Sequence, residues 1–123
     1  MNIWFLVAAV LMAMTLSIHC FFGGRRIVPP LLESEDIGEL PKVIHYGNWH
    51  VATIVFTAMT FNFLWAAGHA EAIELAIFST VVSATISLWA ACVIILHRQS
   101  FKRILHWFFF LAVAGAETAG LML

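Results

Sequence analysis

Charge is what this sequence has least of. Only 11% of its 123 residues are Asp, Glu, Lys or Arg, while 63% are hydrophobic. A soluble domain carries roughly a quarter charged residues and about half apolar ones, so this chain has too little polar surface to cover a soluble globule. Its six Lys and Arg lie in short groups, and none forms the dense basic face of a nucleic-acid binder. Nucleic acid is therefore not expected as a partner. Cysteine is scarce as well: Cys20 and Cys92 both fall in apolar runs, which leaves no disulfide framework. A Walker loop, a nucleophile elbow, a zincin box and a deaminase signature are all missing. The first apolar run has no basic stretch before it and no small-x-small cleavage site after it. Leu16-Ser17-Ile18-His19-Cys20 has a His where a lipoprotein box needs a small residue. That run reads as a retained helix rather than a signal peptide.

Four long apolar stretches are what the sequence does have: 3–22, 48–68, 73–96 and 104–123. Each has about the 20 residues that one bilayer crossing needs. Together with one loop they use up the chain, so a single domain is expected. The loop, 23–47, holds Gly23-Gly24, Pro29-Pro30, Pro41 and the acidic residues Glu33, Glu35, Asp36 and Glu39. Leu31, Leu32, Ile37 and Leu40 within it suggest an amphipathic piece on the membrane surface. The connections 69–72 and 97–103 are tight, and short connections make sequential helices antiparallel neighbours. The expected fold is all-α: an integral membrane up-down-up-down four-helix bundle.

Every basic residue falls in the first or third connection: Arg25, Arg26 and Lys42 in one, Arg98, Lys102 and Arg103 in the other. These two connections share a side in such a bundle. The positive-inside rule makes that side cytoplasmic and puts the N-terminus and C-terminus outside. A multi-pass protein of a bacterial inner membrane is the expectation. Small residues at three- and four-residue spacing, Ala76, Ser79, Ser83, Ser87 and Ala91, then Ala112, Ala116 and Gly120, suit close packing of spanning helices.

Topology gathers five of the six histidines near the cytoplasmic face: His19, His45, His50, His97 and His106. His50 shares a stripe with Tyr46, Thr53, Thr57 and Thr60, and His19 has Thr15 one turn away. Polar stripes on a spanning helix should turn inward, because lipid offers a hydroxyl no partner. His19 and His50 are accordingly expected to face the bundle interior, whereas His106 shares its stripe with Phe109, Phe110 and Val113. Neutral imidazole is the commonest protein ligand for Fe, Cu and Zn, and two opposed imidazoles can hold a haem iron. No His-x-x-His or His-x-x-x-His pair occurs, so any site has to be assembled from separate helices. The cofactor-binding candidates are His19, His50 and His106, with His97 added for a bare transition-metal ion. The plain alternative is an interfacial histidine that snorkels to water without a ligand.

The opposite face has its own ionisable set: His69, Glu71 and Glu74 around the second connection, and Glu117 in the fourth stretch. Glu117 lies about 9 Å from its helix end at 1.5 Å per residue. Such a group can bind a metal or relay protons. Glu71 and Glu74 equally suit the first turn of a helix, which favours anions.

Three functions follow from these readings. One is haem or transition-metal binding (Fe, Cu or Zn) for electron transfer, in a homo-oligomer or a larger membrane complex. Small anchor subunits of respiratory enzymes are similar in size and place haem between spanning helices. That similarity is architectural, and none of their motifs occurs here. A second is an accessory or assembly subunit, for which the Trp-rich surface (Trp4, Trp49, Trp65, Trp89, Trp107) is suited. A third is a small oligomeric transporter or channel lined by the Thr stripe and Glu117, although one four-helix bundle leaves little room for a pore.

Overall fold

Helix α1 (Ile3–Ser17) starts at Asn2, whose side-chain oxygen accepts from the backbone N–H groups of Trp4 and Phe5. Capping of this kind satisfies donors that the first helical turn leaves free. The computed structural model describes residues 1–123 and is helical with no strand. From α1 the chain continues through a π-helical segment (Ile18–Gly23) into α2 (Gly24–Glu33). Helix α3 (Glu39–Gly68) follows, then a 3-10 turn (Ala70–Ala72), α4 (Ile73–Leu96) and α5 (His106–Met122). Three helical runs are long and apolar enough to cross a membrane: Ile3–Glu33, Glu39–Gly68 and Ala70–Leu96. They contain the first three apolar stretches. Helix α5, at 17 residues, is shorter.

Much of the expected loop 23–47 is helical. Proline was the misleading signal. Pro41 sits in the first turn of α3, where its missing N–H has no intrahelical partner to lose. Pro29 and Pro30 lie inside α2, none of whose residues is buried, so the carbonyls they leave unpaired are not shut in the protein. Helix α2, which ends on Leu31, Leu32 and Glu33, is amphipathic and has no buried residue, and it runs on from α1 without a break, while Leu40 belongs to α3.

Helix α1 packs against both α3 and α5, while α4 packs chiefly on α5. The centre is a layer of Ala8, Ala9 and Met12 from α1, Phe56, Met59 and Phe63 from α3, and Phe110, Val113 and Ala116 from α5. Alanines let the α1 backbone come close, and the phenylalanines of the facing helices fill the remaining space. A second group, Phe5, Ala66, Ala67, Ala72 and Ala76, closes one end. There Asn2 donates from its backbone N–H to the Ala67 carbonyl at 2.8 Å and from Nδ2 to the Gly120 carbonyl at 2.7 Å. One residue thus ties the start of α1 to the ends of α3 and α5. Of the expected small residues of α4, Ala76, Ser79, Ser83 and Ser87 are buried. Ser83 and Ser87 reach α5, donating to Glu117 and to the Trp107 carbonyl, while Ser79 meets Asn62 of α3.

Helix α4 ends in a Schellman turn, with Gln99 N–H donating to Ile94 O at 2.8 Å and Arg98 N–H to Ile95 O at 3.1 Å. The turn needs a left-handed residue, usually glycine, and here Arg98 takes it at φ 51°. Arg98 is exposed. Replacing it with glycine should relieve that strain and raise stability by about 0.5–1 kcal/mol. Denaturant titration in detergent micelles would read this as a later midpoint.

Candidate functional site

His19 is buried, at 7% exposure, and its surroundings account for how a polar ring is held in an apolar bundle. It lies in the π-helical segment, where the Gly24 N–H donates to the His19 carbonyl five residues back. The wider turn keeps His19 and Gly23, four residues apart, on one face. π segments often mark functional positions because they re-aim side chains. The imidazole stacks on the Trp49 ring, with centroids 4.0 Å apart and planes 14° from parallel, and meets the edge of Phe56 at 5.2 Å. Gly23 makes room for that indole: a Cβ there would come within 2.6 Å of Trp49 Cη2.

The hydrogen bonds select one tautomer of the ring. His19 Nε2 lies 3.2 Å from the Trp49 carbonyl and 3.1 Å from Thr53 Oγ1. The Thr53 hydroxyl itself donates to that carbonyl at 3.1 Å. A carbonyl can only accept, so Nε2 carries the hydrogen and Nδ1 of the neutral ring keeps its lone pair.

His19 also lines a cavity of about 320 Å³ between the π segment, the start of α2 and the start of α5. Thr15, Phe22, Arg26, Arg103 and His106 share its wall. Of the expected histidines, His19 and His106 are therefore brought to one cavity. Sequence reading missed Arg26 and Arg103. For Arg26 spacing carried a signal, since it follows His19 by seven residues, about two helical turns. Arg103 lies in the turn before α5, so its nearness to His106 in sequence carried none.

The inward turn expected of His50 is not observed. His50 is exposed, with the Tyr46 ring edge-on at 4.6 Å. Trp49 and Thr53, four residues apart, take the face toward α1, and His50 is carried round to the outside. The threonine hydroxyls of that stripe satisfy themselves: Thr57 donates to Thr53 O and Thr60 to Phe56 O, at 2.8 and 2.9 Å. This back-bonding is how a lone hydroxyl commonly settles on a helix. His45 and His97 are exposed, as is Cys20, and Cys92 is half-buried. No group of three or more His, Cys, Asp or Glu side chains converges with metal-binding geometry.

At the other end, His69, Glu71, Glu74 and Glu117 do not form one cluster. The His69 ring stacks on Trp65 at 3.7 Å, and its Nδ1 donates to the Trp65 carbonyl at 3.0 Å. Glu71 and Glu74 are exposed in the 3-10 turn and the first turn of α4. Glu117 is completely buried, and its hydrogen-bond partner is Ser83 of α4.

The geometry stands alone. Set against protein families, curated proteins and solved structures, the chain matches none. Any functional reading has to come from the cavity and its donors.

Proposed function

We propose that this chain is a four-span membrane protein that binds haem in the cavity between His19 and His106 and serves electron transfer, as a homo-oligomer or as a subunit of a larger membrane complex. The observation that carries the reading is the hydrogen-bonded, stacked His19, whose Nδ1 has no partner within the chain, on a cavity shared with a second histidine and two arginines. Haem needs only two axial nitrogens, which suits a pair of histidines. A bare Fe, Cu or Zn ion wants three or four converging ligands, and no such group is formed. Haem also carries two carboxylates. Arg26 and Arg103 on the same wall suit them, because guanidinium binds carboxylate in a two-pronged fashion. Phe22 and Phe109 supply apolar wall for the macrocycle. A ligating imidazole usually donates its other N–H to a carbonyl that fixes ring and tautomer; Trp49 and Thr53 do this for His19.

Bound haem would supply a reversible one-electron change at its iron. The protein's part is to hold the His19 ring rigid, to neutralise the carboxylates and to keep the Trp49 side dry. The up-down-up-down order belongs to the same proposal, with α5 as the fourth span and both termini outside a bacterial inner membrane. It is supported by the meeting of Asn2, Ala67 and Gly120 at one end. It is also supported by the grouping of basic residues near the His19 end, since Arg26 and Arg103 line one cavity. The lipid bilayer is then the protein's solvent.

Absorption spectroscopy with haem and metal quantitation on detergent-purified protein tests the reading. A Soret band with stoichiometric haem is expected. A folded, colourless, haem-free preparation from haem-replete cells would overturn it and leave the accessory-subunit reading in its place. The arginines give a graded check. Each charged hydrogen bond is worth about 1.5 kcal/mol or more, so Arg26→Gln or Arg103→Gln should weaken haem retention about tenfold. Haem transfer to apomyoglobin would measure it.

A further inference from the structure

Glu117 is the one buried carboxyl in the bundle, and the cavity at His19 does not use it. Its exposure is 0%. Ser83 Oγ donates to Oε1 at 3.3 Å, Thr80 lies alongside, and Oε2 is buried with no partner. The helices packed around it bring no counter-charge. On α1 the nearby buried residues are Phe5, Ala8, Ala9 and Met12, and that face's only titratable group, His19, lies at the other end beside Trp49. From α3 come Phe56, Met59 and Phe63. Helix α4 offers hydroxyls, and its Glu74 is exposed at the helix start. The Met1 amine is in the open, at 94% exposure of its residue.

An ionised carboxylate enclosed in apolar surroundings without a cation costs several kcal/mol, and the group avoids this by taking up a proton. A metal ion cannot do the same service here, because Glu117 borders none of the cavities. Polar groups do lead away from it. Ser79 lies one turn from Ser83 on the same buried face, and Asn62 Nδ2 donates to Ser79 Oγ at 3.2 Å. Asn62 in turn lines an open surface groove with Phe61, Trp65 and Leu75. Asn62, Ser79, Ser83 and Glu117 thus form a polar row across α3, α4 and α5, in a bundle whose other interior contacts are mostly apolar.

We propose that Glu117 is a proton-binding site inside the membrane, neutral at rest, which exchanges its proton with the groove at Asn62 through Ser83 and Ser79. The step is simple: the carboxylate gains one proton to become the acid, and returns the same proton to the row. It is independent of the haem reading and stands if that reading fails.

Infrared measurements on the full-length protein in lipid nanodiscs test it. One protonated-carboxyl band is expected at neutral pH, lost in Glu117→Gln, with hydrogen–deuterium exchange slowed at least tenfold in Ser79→Ala and Asn62→Leu. No protonated-carboxyl band, a band that survives in Glu117→Gln, or unchanged exchange in both row variants would each overturn the proposal. The presence of the band is read on the unaltered protein, so the test holds even where a variant does not fold.

Discussion

Replacing His19 with alanine should abolish the haem absorbance of the purified protein, while His50→Ala leaves it intact. The two histidines look alike in the sequence, so this pair of variants separates the geometry from the pattern. His19 is fixed by the Trp49 stack and by the Trp49 carbonyl, and it lines the cavity. His50 is exposed beside Tyr46 and lines none of the cavities. If haem is held between His19 and His106, losing the His19 imidazole would take away one of the two histidine nitrogens at the cavity and leave His106 alone. Loss of the reduced α and β bands with retention of helical circular dichroism is the expected record for His19→Ala. Imidazole added to the medium should restore part of the absorbance, because the cavity left by the ring admits it. Equal loss in both variants would place the ligand pair elsewhere.

The second large effect is structural. Gly120→Leu should unfold or severely destabilise the protein. A Cβ at Gly120 would lie 2.6 Å from two ring atoms of Phe5 and 3.2 Å from Trp4 Cβ. Phe5 packs with Ala66, Ala67, Ala72 and Ala76, so displacing its ring disturbs that group. The same stretch of backbone accepts the Asn2 side chain at the Gly120 carbonyl, and pushing α5 away from α1 would break that link as well. Overpacking of this kind costs about 1–3 kcal/mol, and loss of the Asn2–Gly120 hydrogen bond adds about 1 kcal/mol. Thermal unfolding in detergent should show a midpoint lowered by many degrees. Gly115→Leu is the control, since nothing lies near a Cβ at Gly115, and it should unfold close to the unaltered protein.

The three long helices were legible because hydropathy and length are enough to mark a span. The inward turn of His19 was legible for a related reason: Thr15 one turn away gave a polar stripe. The same argument failed for His50, because a stripe spans a broad arc and Trp49, a bulkier and amphipathic neighbour, took its inner edge. The π segment left no trace in composition. A π turn differs from an α turn by one shift in hydrogen-bond partner, and Ile18–Gly23 contains nothing that favours it locally. Pro29 and Pro30 misled in the other direction, since α2 carries both of them although interior proline ordinarily kinks or breaks a helix. The Arg26 contribution was visible only as spacing, and spacing acquires meaning once two helices are known to meet.

The brevity of α5 bears on where this protein would reside. Seventeen residues span about 26 Å at 1.5 Å per residue, against a hydrocarbon layer of about 30 Å. Helix α4, at 24 residues, reaches about 36 Å. On the four-span reading, one flank of the molecule is shorter than the bilayer and the other longer. Lipid would thin along α5 and stay full along α4, with Lys102 reaching toward headgroups at the short side. Such a wedge-like mismatch favours thin bilayers and neighbours that are equally short, and it gives α5 the most to gain from being covered by another helix.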